Sequence, residues 1–336
     1  MSNRSFLLLV SACGGTAPAI DTAAATWETR APVPEARTEG SVATDGTVIY
    51  LIGGFRAETA GEPSAPRTMF VYTVAEDRWA AAGDIPEGVN HAGFAFVGGK
   101  LYIIGGFAGN GFNPTGALRI YDPSSRTWSD GAPMLTPRGA LAVAVLDGKI
   151  HAIGGNAAQA GLPAHEHGSS REDLSVATHE VYDPATNTWS RLAPMPTPRN
   201  HLGVAILSGR IHAIGGRVEG EMELTTHEIF DPATNTWTTG PALPTGRSGI
   251  AVVALDGRAY VFGGETVTAS SGKTFDEAER FDPAANRWER LPPMPTARHG
   301  LGAATVGDAI YVISGGPEPG FAFGTANERL VPARTP

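Results

Sequence analysis

Cysteine is almost missing from this chain of 336 residues, and the single one, Cys13, stands ahead of everything repetitive in it. Also missing is any apolar run of the roughly 18–20 residues that a helix needs to span a bilayer, which excludes a transmembrane helix. There is no basic block. The 34 acidic and 25 basic residues leave a net charge of −9, without the clustered positive charge that nucleic-acid binding requires. Nucleic acid is therefore not an expected partner. What is abundant is glycine and proline, 43 and 26 residues, the residues of tight turns and stiff linkers such as Pro194-Met-Pro-Thr-Pro198.

Six tryptophans set out six copies of one unit. Trp27, Trp79, Trp128, Trp189, Trp237 and Trp288 are each followed ten residues later by Arg37, Val89, Arg138, Arg199, Arg247 or Arg298. Sixteen residues on comes a small doublet, Gly-Gly from Gly53, Gly105, Gly154, Gly215 and Gly263, and Ser314-Gly315 in the last copy. Then follow Tyr72, Tyr121, Tyr182, Phe230, Phe281 or Leu330, with the next Trp of the series, where there is one, seven residues further. Only the doublet-to-aromatic segment varies, with lengths of 19, 16, 28, 15, 18 and 16 residues.

Each unit reads as four strands. The first is poor in bulk (Gly139-Ala-Leu-Ala-Val-Ala-Val145), as suits a strand converging on a propeller axis. A two-residue turn follows (Asp45-Gly46, Asp147-Gly148, Ser208-Gly209, Asp256-Gly257), of residues that tolerate positive φ. The second strand carries Tyr50, Tyr102, His151, His212, Tyr260 or Tyr311 and ends at the doublet. The third and fourth flank an Asp-Pro turn, and the fourth holds the Trp, which buries roughly 150–250 Å² between blades. His179 and His227, which open third strands, are read as structural, as are His151 and His212.

A period near 50 residues with four strands per unit resembles the kelch repeat. The motif stands in Val48-Ile-Tyr-Leu-Ile-Gly-Gly54, Lys100-Leu-Tyr-Ile-Ile-Gly-Gly106, Val181-Tyr-Asp-Pro-Ala-Thr-Asn-Thr-Trp189 and Ile229-Phe-Asp-Pro-Ala-Thr-Asn-Thr-Trp237. The resemblance covers roughly residues 23–336 and implies an all-β fold, a six-bladed kelch-type β-propeller. The last copy has no Trp for its own fourth strand, and Trp27 belongs to no earlier copy. Ala23–Arg30 is therefore expected to supply that strand, closing the ring and removing two exposed sheet edges.

Residues 1–22 read as a leader and tether, and 23–336 as the propeller. Met1–Arg4 is basic, Phe6–Val10 is apolar, and Val10-Ser-Ala-Cys13 resembles a bacterial lipobox. The expectation is an exported bacterial protein, periplasmic or held at the membrane through a lipidated Cys13.

In an up-and-down blade, the strand 2-to-3 loops and the linkers into the next blade lie on one face. All length variation falls there, and binding groups concentrate on variable loops over a rigid scaffold. Arg37, Arg138, Arg199, Arg247 and Arg298 stand on that face. Either each guanidinium ties a linker to backbone carbonyls, or the series forms a partial ring of cations suited to a carboxylate. Departures from the template add candidates. Val89 replaces Arg and is followed by Asn90 and His91. His201 holds the same offset as His91, and Glu39 that offset in the first copy. The other copies have Ala140, Gly249 and Gly300 there.

The long third-blade loop, roughly Asn156–Ala177, carries His165-Glu-His167 and Arg171-Glu-Asp173. Two histidines do not make a metal site, and neither a metal nor another cofactor is expected. A galactose-oxidase-like copper centre needs a Cys bonded to a Tyr, and the repeats contain no Cys. The expected function is a non-enzymatic binding protein, a monomer, engaging a protein or a small anionic sugar. The alternative is a sugar-acid mutarotase, because exported six-bladed kelch proteins of bacteria include N-acetylneuraminate epimerase. Glu39, His91 and His201 would be its candidate acid and base.

Overall fold

The computed structural model describes residues 25–58, 63–157, 174–218, 220–267 and 271–333. Six four-stranded antiparallel sheets are present, and their first strands touch one another in a closed circuit about a common axis. This is the six-bladed kelch-type propeller that the repeats imply. In the third blade Ala142–Leu146, Lys149–Ile153, His179–Asp183 and Thr188–Arg191 pair in chain order. The axial channel is lined at one end by Val42, Ala43, Val143, Ala144, Val204 and Ala205 among others, which is why first strands carry little bulk.

The last blade closes as expected. Ala25–Thr29 pairs antiparallel with Asn327–Pro332, and Trp27 lies opposite Leu330 just as Trp189 lies opposite Tyr182. The tryptophans fasten more than packing. The indole N–H groups of Trp27, Trp79, Trp189, Trp237 and Trp288 donate to Pro292, Ala31, Ala132, Ala193 and Pro241 carbonyls at 2.7–3.0 Å. Each bond ties a fourth strand to a linker between blades.

The doublet has a second duty. The N–H of its second glycine donates to the carbonyl at the Arg position of the next blade: Gly54 to Val89, Gly106 to Arg138, Gly155 to Arg199, Gly216 to Arg247, Gly264 to Arg298 and Gly315 to Arg37, all at 2.9–3.1 Å. The first doublet residue has φ near +60° in every blade, and a Cβ on Gly53 or Gly263 would meet that carbonyl at 2.5 or 2.4 Å. Glycine is required by the approach of the neighbouring backbone as well as by φ. Ser314 tolerates the position because its hydroxyl donates to the Arg37 carbonyl at 2.7 Å.

One turn differs from expectation. Asp147-Gly148, Ser208-Gly209 and Asp256-Gly257 have positive φ at both residues, whereas in the first blade only Gly46 does. There Asp45 Oδ1 accepts the Thr47 and Val48 N–H groups at 2.8 Å, an Asx turn in a hairpin of the same length and register.

Two blades hold buried histidine pairs. His151 and His179 meet at 2.9 Å, as do His212 and His227. His227 Nδ1–H donates to the Pro241 carbonyl at 3.0 Å, so its Nε2 accepts from His212. Burial lowers all four below the ordinary histidine value, to about 4, 3, 3 and 4. The unfolded chain takes up protons below about pH 6.5 that these native rings refuse. Their stability is therefore complete above that pH and is lost as pH falls toward 4–3. Tyr102 and Leu118 occupy the same two positions in the second blade. Replacing His151→Tyr together with His179→Leu should flatten the fall in melting temperature between pH 7 and pH 5. An unchanged slope would assign acid sensitivity elsewhere.

Candidate functional site

The residue two beyond the Arg position begins the site in every blade. Glu39, His91, Ala140, His201, Gly249 and Gly300 all have left-handed φ, between +51° and +63°. Their backbones form a closed circle: Glu39 N–H donates to Gly300, His91 to Glu39, Ala140 to His91, His201 to Ala140, Gly249 to His201 and Gly300 to Gly249, at 2.8–3.2 Å. Glycine takes this conformation freely, whereas another residue costs of order 1 kcal/mol. Glu39, His91 and His201 therefore stand on strained backbone.

That strain brings them together. One ligating atom from each of Glu39, His91 and His201 lies within 4.8 Å of the others, although they come from blades 1, 2 and 4. They line an axial cavity of about 100 Å³ with Ala140, Gly249, Gly300 and neighbouring backbone.

Three further groups complete the cluster. Arg217 Nη2 stands 3.0 Å from His201 Nε2 and its Nη1 bonds Glu265 at 2.9 Å. Glu265 also accepts the Gly320 N–H at 3.0 Å and lies 3.6 Å from His299 Nε2. His299 Nε2 is 3.8 Å from Glu39, and Glu39 is 3.3 Å from His91 Nε2. Arg217 and Glu265 directly follow the glycine doublet, and His299 directly follows an Arg position. Register explains the convergence: isolated bridges pair Asn200 with Arg217, Ser248 with Glu265 and His299 with Gly316. Each blade thus offers three positions to the axis, of which the sequence reading used one. The repeated dipeptide Asn-His at 90–91 and 200–201 was the available signal for the neighbours.

Burial pushes the Glu39 carboxyl above its ordinary value, with His299 opposing this and Glu265 adding to it. For Glu265 burial acts in the same direction but is outweighed by His299, Arg217 and the Gly320 N–H, leaving it below the ordinary range. The two carboxyls of the cluster are thereby driven apart.

Over blades 1 and 2 the doublet is followed by Phe55 and Phe107 instead of a polar residue. With Phe112 they surround His91 at centroid distances of 5.5–5.9 Å. Phe321 packs on Phe55 at 5.4 Å and remains 43% exposed.

The arginine series lies elsewhere. Arg37, Arg138, Arg199, Arg247 and Arg298 are all buried. Arg138 donates Nε to the Gly154 carbonyl and Nη2 to that of Ala152, both at 2.9 Å. Its Nη1 bonds Glu180 at 2.7 Å and the Thr136 carbonyl at 2.8 Å, while the Thr136 hydroxyl holds the other Glu180 oxygen. The clamp recurs as Arg199–Glu228, Arg247–Glu279 and Arg298–Glu328. Arg37 instead uses Glu35 at 2.9 Å, the Gly53 and Thr68 carbonyls, and the Phe70 ring at 5.0 Å. Of the two readings of the series, the geometry has the guanidinium groups tied to backbone carbonyls and not forming a ring of cations at the pocket mouth: these forks face strands and carboxylates of their own blades. The glutamate two residues before Tyr182, Phe230, Phe281 or Leu330 carried the signal. Where Val89 replaces Arg, Arg119 holds the glutamate position and Glu87 the threonine position, 3.8 Å apart in reversed polarity.

Residues 1–22 with Cys13, and His165, His167 and Arg171 of the third-blade loop, lie outside the described residues. Among the described residues no helix is long and apolar enough to cross a membrane.

Comparison with known proteins agrees with the repeats. Residues 167–316 match the KLHDC2/KLHL20/DRC7 Kelch-repeats domain, and 89–135 and 137–196 match Kelch motifs. The chain is 27% identical over 287 residues to Kelch-like protein terF of Aspergillus terreus, covering 83% of this chain and 61% of that protein. It is 32% identical over 194 residues to human Kelch-like protein 34, covering 56% of this chain and 27% of that one. A zebrafish relative, Kelch-like ECH-associated protein 1A, is 31% identical over 116 residues, which cover 34% of this chain and 17% of its own length. The chain thus spans less than two thirds of the length of each of these relatives. They also correct two expectations. The relatives are fungal and animal, which overturns the resemblance to bacterial exported kelch proteins and, with it, a periplasmic address or an anchor at Cys13.

The clamp makes a stability prediction. Arg199→Ala strands Glu228 without its partner and should cost about 3–5 kcal/mol in urea unfolding. Arg37→Ala should cost clearly less, because Glu35 is 26% exposed and can rehydrate. Equal costs, or no cost at Arg199, would contradict the structural assignment of the series.

Proposed function

We propose that this chain, similar to kelch-repeat proteins along most of its length, is a non-enzymatic binding propeller. It takes a protein partner on the face that carries the strand 2-to-3 loops and the mouth of the axial pocket. Kelch propellers generally bind proteins or other ligands rather than catalyse, and one relative is named for its association with another protein. The observation that carries the reading is the aromatic rim: Phe321, 43% exposed, backed by Phe55 and Phe112. A partly exposed aromatic on a packed base is the kind of anchor around which interface energy concentrates.

The second reading, a small anionic sugar and with it a sugar-acid mutarotase, has one support. Glu39, His91 and His201 do converge, which acid–base chemistry on a sugar ring would need. Against it, the cavity of about 100 Å³ is below the roughly 300–1,000 Å³ of small-molecule sites. The five template arginines are also engaged within their blades, leaving Arg217, itself paired with Glu265, as the cation of the cluster.

The reading is tested by affinity capture from an extract of the source organism, comparing the wild-type chain with Phe321→Asp and with Asp256→Arg at a turn on the opposite face. A partner lost at least tenfold with Phe321→Asp, at an unchanged melting temperature, and kept with Asp256→Arg is the expected result. A partner indifferent to Phe321→Asp would refute the face. Stabilisation by sugar acids without any protein partner would favour the second reading.

A further inference from the structure

We infer that Glu39, His91 and His201 form a binding site for one divalent transition-metal ion of zinc type at the propeller axis. The site is separate from the partner-binding reading and stands or falls without it.

The first argument is convergence. Two imidazoles and one carboxylate, from three different blades, bring their ligating atoms within 4.8 Å of one another. Zinc bound at about 2.0–2.1 Å holds tetrahedral ligands roughly 3.3 Å apart, so side-chain torsions alone can gather the set. The second argument is orientation. His91 Nδ1 lies 2.7 Å from Asn90 Oδ1, and His201 Nδ1 is bonded to Asn200 Oδ1. The two carboxamides are themselves pinned: Asn90 Nδ2 donates to the Gly109 and Gly111 carbonyls, and Asn200 Nδ2 to Ser175 Oγ. An oxygen facing Nδ1 requires Nδ1–H, which leaves the lone pair of a neutral ring on Nε2. For His201 this is independently fixed, because the Arg217 guanidinium at 3.0 Å can only donate. Outer partners that lock the tautomer and turn the other nitrogen inward are the usual support of metal-ligating histidine.

The third argument is charge. His91 Nε2 and Glu39 Oε2 stand 3.3 Å apart, and with Nδ1–H used on Asn90 both are acceptors unless a proton or a cation lies between them. Glu39 and Glu265 give the cluster two acidic groups against the one Arg217 guanidinium. A divalent ion compensates this, and the cavity of about 100 Å³ suits an ion with a water or two. Phe55, Phe107 and Phe112 around His91 lower the local dielectric and limit access, which strengthens ligation. On loading, Arg217 Nη2 leaves His201 while Nη1 keeps Glu265.

The fold supplies well-behaved knock-outs. Gly249 and Gly300 occupy the same left-handed positions, so His91→Gly, His201→Gly and Glu39→Gly relieve strain while removing a ligand. Untagged full-length chain, stripped with chelator, is titrated with Zn²⁺ by calorimetry and with Co²⁺ by its visible absorption. One ion per chain is expected, with imidazole-type cobalt bands. Each glycine variant should weaken binding by tenfold or more with an unchanged or raised metal-free melting temperature. Asn200→Ala, which touches no ion, should weaken it about 10–100-fold. Replacing both His165 and His167 with Ala should leave it intact. Failure to bind Zn²⁺ or Co²⁺ at millimolar concentration overturns the inference. So does binding that survives His91→Gly and His201→Gly, or that disappears with the His165/His167 change instead.

Discussion

A circle of six backbone hydrogen bonds around the axis is the constraint on which the rest depends. One residue per blade donates its N–H to the carbonyl of its counterpart in the preceding blade, and the sixth bond runs from Glu39 to Gly300. The circle closes only if every contributor adopts left-handed φ. It therefore fixes the direction in which six side-chain positions leave the backbone. A second circuit, from each doublet glycine to the next linker carbonyl, runs outside the first. Between them the two circuits hold the blades at a common radius before any apolar contact is counted. The strand pairing of Ala25–Thr29 with Asn327–Pro332 then covers a seam that the axis has already joined.

Around these circuits the molecule separates support from display. Tryptophan indoles, arginine–glutamate clamps and histidine pairs all look outward from the axis into the blades. Their repetition follows from a problem that recurs at every blade junction: a linker with carbonyls and N–H groups that must be satisfied away from water. The residues that do not repeat face the axis. After the doublets stand Phe55 and Phe107, Arg217 and Glu265, and Asn156 and Gly316, which give the mouth of the channel an apolar side over His91 and a polar side over His201 and His299. Left-handed backbone at Glu39, His91 and His201 is a cost that glycine would avoid, and Gly249 and Gly300 do avoid it. Ala140 bears the same left-handed strain without a titratable group, so it is the convergence of Glu39, His91 and His201 that distinguishes these three positions.

Much of this was legible in the chain. Equal spacings gave six blades and the unmatched Trp27 gave the closure. The offset shared by Glu39, His91 and His201 pointed to the right axial position. The two readings of the arginines stayed open because a template residue says nothing of where its side chain turns. Glu180, Glu228, Glu279 and Glu328, two residues before Tyr182, Phe230, Phe281 and Leu330 of the third strands, held that information. Arg217, Glu265 and His299 were missed for a different reason. Their arrival at the axis depends on pairing between linker and doublet loop, a register that spacing within one copy does not reveal. Cys13 was given weight because it is single. Rarity is a property of composition, and the fungal and animal relatives removed the bacterial context that made it meaningful.

The most direct test of the axial circle is native-state hydrogen exchange at the amides of Glu39, His91, Ala140, His201, Gly249 and Gly300. If the circle joins the blades, all six amides exchange only through global unfolding, with equal protection that falls together as urea is added. Faster exchange at Glu39 and Gly300 than at the other four would contradict it. The ring would then be held by its terminal strand, and the axis would be a consequence of closure instead of its cause.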